Sequence, residues 1–260
     1  MTVLVSTLTR LEKAAVDNGF DRELPRQADW LGFASTQAPI EVWLSANRDG
    51  QFVAALSRLN VARALTEHGA AANLPLPNGA VAARIVADIP ALHRLLRRAF
   101  QLSKTLPDEL LHTFEKQTAT LPKTTEAERL VVQRVGQDLF RAALIDYWEG
   151  RCAVTALAIP GLLRASHIKP WAECATDAER LDVFNGLLLA PTLDAAFDRG
   201  FITVADEGEV IVSPQIPAAD RMILGLDRPL RLNGLTDGHR LYLLWHRKQV
   251  FKIDPRVGSP

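Results

Sequence analysis

The chain is interrupted by a polar stretch from Leu106 to Glu128, in which two prolines and a group of threonines separate two segments with regular apolar patterns. Polar stretches that contain proline are typical of the boundaries between domains. At 260 residues and 48% hydrophobic, the chain is long enough for two modest domains. We therefore predict an α+β protein with an N-terminal α+β domain over residues 1–106, a linker over 107–128 and a C-terminal domain over 129–260.

The composition of the chain limits the classes of protein to which it can belong. Basic and acidic residues both number 30, so the net charge of +0 gives no global attraction to a polyanion. No segment approaches the roughly 20 apolar residues that cross a bilayer, and the N-terminus lacks the pattern of a signal peptide. Cys152 and Cys174 stand apart with no CxxC pair, which argues against disulfides and structural zinc. We expect a cytoplasmic protein that has no membrane partner.

Two runs of basic residues stand out from this balanced charge. The first lies between Ala91 and Lys104, where leucines recur at helical spacing and most arginines fall on the opposite face. The second lies in the C-terminal tail. Such runs can contact nucleic acid, or they can be a solvated helix face and a solvated strand edge, and the sequence leaves both interpretations open. The residues concerned are Arg94, Arg97 and Arg98 in the first run, and Arg247, Lys248, Lys252 and Arg256 in the second.

Residues 1–106 mix helix and strand patterns. Two apolar stretches, 38–47 and 51–57, flank an Asn-Arg-Asp-Gly turn and predict a β-hairpin. The stretch 80–87 is rich in alanine, which blurs its period, so it is compatible with a strand or with a helix. Helical patterns are found over residues 9–20, 59–69 and 89–102.

The C-terminal half begins with a predicted helix and continues into short apolar runs. Thr125 and Glu128 have the spacing of a capping box, which predicts the start of a long helix. The runs 151–157 and 162–168 are short and rich in apolar or β-branched residues, and they predict a hairpin. The second strand of that hairpin is expected to deliver His167.

Candidate catalytic residues follow this hairpin. The Asn-Gly pair at 185–186 predicts a turn, and the pattern over 192–200 predicts a helix. Residues four apart share one helix face, so Asp194 and Asp198 are able to hold one hard divalent cation. A histidine facing that cation, here His167, is placed to take a proton from water, as phosphodiester hydrolysis requires. Each residue taken alone also has an ordinary interpretation, as a structural histidine or a solvated acid.

The order and spacing of these motifs resemble the HNH endonuclease family, and in particular its bacterial restriction-type branch. The resemblance extends from Gln133 to Ser213 and implies a ββα-metal fold that holds one cation in the minor groove or at the backbone of DNA. The tail "HRLYLLWHRKQVF" is similar to a C-terminal strand of the family. The matching text is "QRVGQDLFRAALIDYWEGRCAVT", "LLRASHIKPW" and "RLDVFNGLLLAPTLDAAFDRGFI".

The resemblance also implies roles for individual residues. His167 is similar to the first histidine of the family, the general base, and Asn185 matches the asparagine that holds the loop and the base in place. Asp194 stands where the last histidine usually does, so the signature reads His-Asn-Asp, and Asp198 matches a second helix ligand of some relatives. Ser166 departs from the pattern, because many relatives carry an Asp or His ligand there. The cofactor implied is Mg²⁺ or Mn²⁺, with no structural zinc.

The function implied is that of a metal-dependent DNA endonuclease that acts on foreign DNA, with modified bases as one option for its target. By analogy, residues 1–106 are expected to read the DNA. Cutting both strands with a one-metal site is most simply done by a homodimer. Trp30, Phe33 and Trp43 are expected either to stack on an extruded base or to belong to the core. DNA contacts are expected from Arg94, Arg97, Arg98, Lys169 and Arg199.

Two other classes of function remain open at this point. The departures at Ser166 and Asp194 are compatible with a DNA-binding module that has lost catalysis. The basic runs are also compatible with a protein-interaction domain that meets an acidic partner.

Overall fold

The structure is a computed structural model that describes residues 5–47, 49–122 and 124–253. The chain divides into two compact units, residues 1–106 and residues 107–260. Both units combine helices with antiparallel strands, which confirms the α+β prediction. Within the described residues, no helix is both long enough and apolar enough to span a lipid bilayer.

The first unit is an antiparallel sheet with helices packed on it. In chain order its elements are α1 (Val5–Val16), β1 (Arg22–Gln27), β2 (Trp30–Ala34), β3 (Glu41–Ala46), β4 (Phe52–Leu56), α2 (Leu59–Ala64), β5 (Ala70–Ala71), β6 (Ala82–Val86) and α3 (Ile89–Thr105). The described strands are hydrogen-bonded in the order β1-β2-β3-β4-β6-β5. The leucine face of α3, with Leu92, Leu95 and Leu96, is fully buried in this unit.

The sequence predicted most of this unit correctly. The three helical patterns and the β3–β4 hairpin are confirmed, and the ambiguous stretch 80–87 contains strand β6. Strands β1 and β2 were not predicted. The aromatic residues fit the core interpretation, because Phe33 and Trp43 are buried and Trp30 packs against the cluster around Trp43.

The second unit begins with two helices and continues into short strands. In chain order its elements are α4 (Pro107–Thr118), α5 (Glu126–Tyr147), β7 (Arg164–His167), α6 (Asp177–Arg180), β8 (Gly186–Leu189), α7 (Pro191–Asp198), β9 (Ile202–Val204), β10 (Val210–Val212), α8 (Ala218–Ile223) and α9 (Asp237–Gln249). The predicted capping box is present at the start of α5, where the Thr125 amide donates to Glu128 Oε2 at 2.8 Å.

The prediction of a linker over 107–128 is wrong for its first half. Residues 107–118 form helix α4, which packs against α5 and belongs to the second unit. Leu110 and Phe114 form its buried face, while the polar residues that suggested a linker lie on the exposed face. An amphipathic helix with few apolar residues was therefore mistaken for a connection.

The predicted hairpin partner of the histidine strand is also wrong. Residues 151–157 form a turn, in which the Ala156 amide donates to the Cys152 carbonyl at 2.9 Å and Ala156 has a φ of 59°. Strand β7 pairs instead with β8, and His167 is opposite Gly186 in the register. The order of the unit is therefore strand, loop, strand, helix, with β7, β8 and α7 forming the ββα unit.

The Asn-Gly pair is not the turn that was predicted. Asn185 ends a 3-10 turn and Gly186 is extended, with a φ of −142°. The glycine is required for another reason, because a Cβ at Gly186 would lie 2.6 Å from Cζ of Phe140 on α5. Close packing of the hairpin on α5 therefore depends on this residue.

The C-terminal strand implied by the resemblance is a helix. Residues 237–249 form α9, which buries His239, Leu243 and His246 on one face. Those three positions are spaced by four and three residues, which is the spacing of a helix face. Arg256, the last member of the second basic run, lies outside the described residues.

Candidate active site

Strand β7 presents its side chains alternately to two helices. The hydroxyl of Ser166 donates to Asp198 Oδ1 on α7 at 3.0 Å. His167, the next residue, stacks on Phe140 of α5, with the ring centroids 3.8 Å apart and the planes 14° from parallel. This alternation follows from the period of a strand, in which neighbouring side chains point to opposite faces.

The two faces nevertheless meet at one cavity of about 370 Å³. His167 is the last residue of β7, and it borders this cavity together with Ser166 and Asp198. Trp171 and His246 also line this cavity. The structure therefore brings the predicted base and one predicted metal ligand to a common space, while Asp194 is not part of the lining.

The two aspartates of α7 form an acidic pair, of which only Asp198 borders this cavity. Asp194 is half-buried, and burial raises the pKa of its carboxyl. Burial also raises the pKa of Asp198, and the negative charge of Asp194 raises it further. Hydrogen bonding to Ser166 acts in the opposite direction on both carboxyl groups. The two carboxyl groups are therefore unfavourable as two anions, and the positive charges of Arg164 near Asp194 and of Arg199 near Asp198 offset this in part.

This donor set fits a hard divalent cation that keeps part of its water shell. Within the described residues, no three His, Cys, Asp or Glu side chains are grouped so as to hold a metal ion. Mg²⁺ is commonly bound through only one or two carboxylates and several waters, whereas structural zinc requires four protein ligands. Asp194 and Asp198 therefore suit Mg²⁺ or Mn²⁺, with Ser166 between them.

The hydrogen bonding of His167 identifies which ring nitrogen is available for chemistry. Its Nε2 lies 2.9 Å from the carbonyl oxygen of Arg180. Because a carbonyl can only accept, Nε2 must carry the hydrogen, and the neutral ring therefore has its lone pair on Nδ1. Burial lowers the pKa of His167, against a smaller opposing contribution from that same hydrogen bond. The ring is consequently neutral at pH 7, with Nδ1 as its basic atom.

Asn185 is fully buried and ties the end of β7 to the loop that precedes β8. Its Oδ1 accepts from the Lys169 amide at 2.8 Å, and its Nδ2 donates to the Lys169 carbonyl at 3.1 Å. The same Nδ2 lies 3.2 Å from the carbonyl oxygen of Glu179, the residue before Arg180. Asn185 thus holds the backbone on which the orientation of His167 depends, and it does not border the cavity.

The residues expected to contact DNA are in different situations. The Lys169 ammonium is engaged by Glu179 at 2.6 Å, and both side chains are largely buried. Arg199 is exposed at the end of α7. Arg94 and Arg97 are exposed on α3 in the first unit, whereas Arg98 is half-buried on the same helix. Lys169 is therefore committed to a structural ion pair, while Arg94, Arg97 and Arg199 face solvent.

The second basic run is also partly committed to structure. Arg247 donates to the Val204 carbonyl at 2.7 Å and pairs with Asp206 at 2.6 Å. The Lys252 ammonium lies 4.0 Å from the centre of the Phe201 ring. These contacts pack α9 and the following residues onto the segment after α7, whereas Lys248 is exposed. Of the two interpretations left open for this run, the strand edge does not apply, because Arg247 and Lys248 lie on a helix.

His246 is a residue of the site that the sequence did not predict. Its Nε2 lies 3.1 Å from the Phe197 carbonyl, and its Nδ1 lies 2.9 Å from Thr203 Oγ1. The ring stacks on Phe197 with centroids 3.9 Å apart. Burial lowers its pKa to about 4. The helical spacing of 239, 243 and 246 was the signal that His246 lies on a buried face.

Comparison with known proteins agrees with this geometry. Residues 152–205 match the family model described as HNH endonuclease. That segment includes His167, Asn185, Asp194 and Asp198 and the whole β7–β8–α7 unit. No curated protein matches the chain. The match confirms the resemblance to HNH endonucleases that the sequence shows, and it places that resemblance at residues 152–205 of the second unit.

Proposed function

We propose that this protein is a divalent-metal-dependent DNA endonuclease whose general base is His167. The observation that carries this proposal is the hydrogen bond from Nε2 of His167 to the Arg180 carbonyl, in a residue that borders the same cavity as Asp198. That bond leaves Nδ1 as the basic atom of a neutral ring. A neutral imidazole with a fixed tautomer is the form that accepts a proton from water.

Asp194 and Asp198 are the residues that would hold Mg²⁺ or Mn²⁺ in this account. The bound cation would offset negative charge on the phosphate and on the departing oxygen. The acids themselves do not transfer a proton. Ser166 orients Asp198 through its hydroxyl, and Asn185 keeps the loop before β8 in place.

The biological setting belongs to the same proposal. The restriction-type resemblance supports an enzyme that acts on foreign DNA in the cytoplasm, with residues 1–106 as the part that reads DNA. Arg94 and Arg97 are exposed on α3 and are suited to phosphate contacts. A homodimer is the simplest assembly for cutting both strands.

The test is digestion of unmodified and modified plasmid and phage DNAs by the full chain with Mg²⁺, with Mn²⁺ and with chelator. Cleavage is expected with either metal and none with chelator. Replacing both acids, by Asp194→Asn with Asp198→Asn, is expected to reduce cleavage at least about a hundredfold, because the metal is no longer held. Asp138→Asn, an exposed aspartate on α5, is the matched control and should cut like the parent. Equal cleavage with metal and with chelator would refute the proposal.

One observation favours a second candidate, a DNA-binding module without catalysis. The acidic pair has no third carboxylate, histidine or cysteine grouped with it within the described residues. Calorimetric titration with Mn²⁺ separates the two candidates. Binding that the double Asn variant abolishes supports the nuclease, whereas DNA binding without any Mn²⁺ binding supports the silent module.

A further inference from the structure

Trp171 lies between the proposed base and helix α5. It begins a 3-10 turn four residues after His167, and its ring meets the His167 ring edge-on, with centroids 5.6 Å apart and planes 88° apart. Together with Phe140, which stacks on the face of His167, it encloses the imidazole on two sides. The indole is therefore in direct contact with the group that is expected to take the proton.

The far end of the Trp171 ring is seated on a glycine in the middle of α5. A Cβ at Gly136 would lie 2.6 Å from Cη2 of Trp171 and 3.3 Å from its Cζ2. Glycine in a helix interior costs roughly 1 kcal/mol relative to alanine. Gly136 is buried inside a helix of 22 residues, where alanine would otherwise be preferred. Only glycine allows the indole to reach the helix backbone here.

Arg180 links Trp171 to the hydrogen bond that fixes the tautomer of His167. Its guanidinium donates to the Cys174 carbonyl at 2.6 Å and to the Trp171 carbonyl at 3.3 Å. The same guanidinium lies over the indole, 5.8 Å from the ring centre. The carbonyl of Arg180 in turn accepts from Nε2 of His167. The indole and the carbonyl that orient the imidazole are thus held by one side chain.

We propose that Trp171 is a positioning residue for the nuclease reaction, and that the Gly136 notch exists to seat it. Seated there, Trp171 fixes the ring plane of His167, and through Arg180 it keeps the hydrogen on Nε2, so that Nδ1 remains the basic atom. This inference rests on the proposed function for its catalytic meaning. Its structural content is independent of DNA cleavage.

The first experiment measures the tautomer of His167 without DNA. In the full chain with ¹⁵N-labelled histidine, the two ring nitrogens of His167 are assigned by NMR through the loss of their signals in His167→Ala. The parent should show a hydrogen on Nε2 alone. Trp171→Ala should show a mixture of both tautomers, and Trp171→Phe an intermediate result. Should Trp171→Ala not fold, the Trp171→Phe spectrum decides. A single Nε2–H tautomer in every folded variant would overturn the inference.

The second experiment uses a pair of compensating substitutions. Gly136→Ala should lower kcat roughly tenfold to a hundredfold, because a small displacement of a catalytic group has effects of that size. KM for DNA should stay nearly unchanged. Combining it with Trp171→Phe removes the Trp171 atoms that clash and leaves only the tighter contact with Phe114 Cε2 at 3.2 Å, so the double variant should regain part of the lost kcat. Gly161→Ala is the control, since a Cβ there meets nothing within 4 Å.

The two experiments also separate this inference from the proposed function. A parental kcat in Gly136→Ala, or a double variant that loses activity additively, would overturn the role of the notch. If the parent protein cleaves no DNA, the proposed function fails, and the NMR result still decides whether Trp171 and Arg180 set the tautomer. Thermal unfolding of each variant verifies that it is folded before either result is interpreted.

Discussion

Two histidines in the second unit, His167 and His246, have almost the same surroundings. His167 stacks on Phe140 at 3.8 Å, and His246 stacks on Phe197 at 3.9 Å. Each gives its Nε2 hydrogen to a backbone carbonyl, that of Arg180 in the first case and that of Phe197 in the second. Burial lowers the pKa of both rings. Both also border the same cavity.

The two histidines differ in the hydrogen bonding of Nδ1. Nδ1 of His246 accepts from the Thr203 hydroxyl at 2.9 Å, so both nitrogens of that ring are occupied. His167 makes no second hydrogen bond within the described residues. The same aromatic stack and carbonyl acceptor therefore leave Nδ1 of His246 engaged and Nδ1 of His167 without a partner among the described residues, which is the difference on which the proposed roles depend.

The largest difference is expected when each histidine is replaced by alanine. His167→Ala should lose cleavage by about 10²–10⁴-fold, the usual contribution of a general base, while it still folds and binds DNA. His246→Ala should instead lower the free energy of unfolding by about 2–4 kcal/mol, because it leaves a cavity and unpaired polar groups. Cleavage rates, DNA binding by fluorescence anisotropy and urea unfolding separate the two effects.

Two results would contradict these expected roles of His167 and His246. Cleavage at the parental rate by folded His167→Ala removes the base from the account. Complete loss of cleavage by His246→Ala, at a temperature where that variant is still folded, would show that the role of His246 is not only structural.

The next largest effect is expected in the pH dependence of stability, to which the buried His246 contributes. The pKa of His246 is about 4 in the folded protein against 6.5 for an ordinary histidine. Between those pH values the unfolded chain binds a proton that the folded protein does not, so stability falls as the pH drops through this window. The difference corresponds to about 3 kcal/mol. His167, whose pKa is also lowered, contributes equally in the parent and in His246→Gln and cancels in the comparison.

The measurement is the free energy of unfolding of the parent and of His246→Gln at intervals from pH 7 to pH 4. The parent should lose about 3 kcal/mol more stability than the variant over this range. Parallel curves for the two proteins contradict a buried neutral His246.

The smallest effect is expected from removing the Thr203 hydroxyl, which donates to Nδ1 of His246. Thr203→Val removes the donor to Nδ1 of His246 and should cost about 1–2 kcal/mol of stability with little change in kcat. Thr192→Val, at an exposed position on α7, is the matched control and should change neither quantity. A large fall in kcat in stable Thr203→Val would show that the hydrogen bond serves the chemistry.

The sequence was most informative where spacing alone fixes geometry. Asp194 and Asp198 fall on one helix face because they are four residues apart, and His167 ends a strand because Pro170 follows soon after. The capping box at Thr125 and Glu128 is likewise a local signal. Each of these predictions needed only neighbouring residues.

The remaining features depend on contacts that are distant in sequence. Strand β7 pairs with β8 across an intervening loop, so the nearer β-branched run at 151–157 was mistaken for its partner. Gly136 and Gly186 are explained only by the rings that approach them, those of Trp171 and Phe140. Such close approaches leave no period or composition signal in the sequence.

The most direct test of the account is whether a cation bound by the α7 acids lies near His167. Mn²⁺ is titrated into the full chain with labelled histidine, and the broadening of each ring signal is followed by NMR. His167 is expected to broaden at lower Mn²⁺ than the exposed His112, and Asp194→Asn with Asp198→Asn is expected to abolish this difference. Sharp His167 signals at saturating Mn²⁺, or preferential broadening of His167 that persists in the double variant, would contradict a shared site.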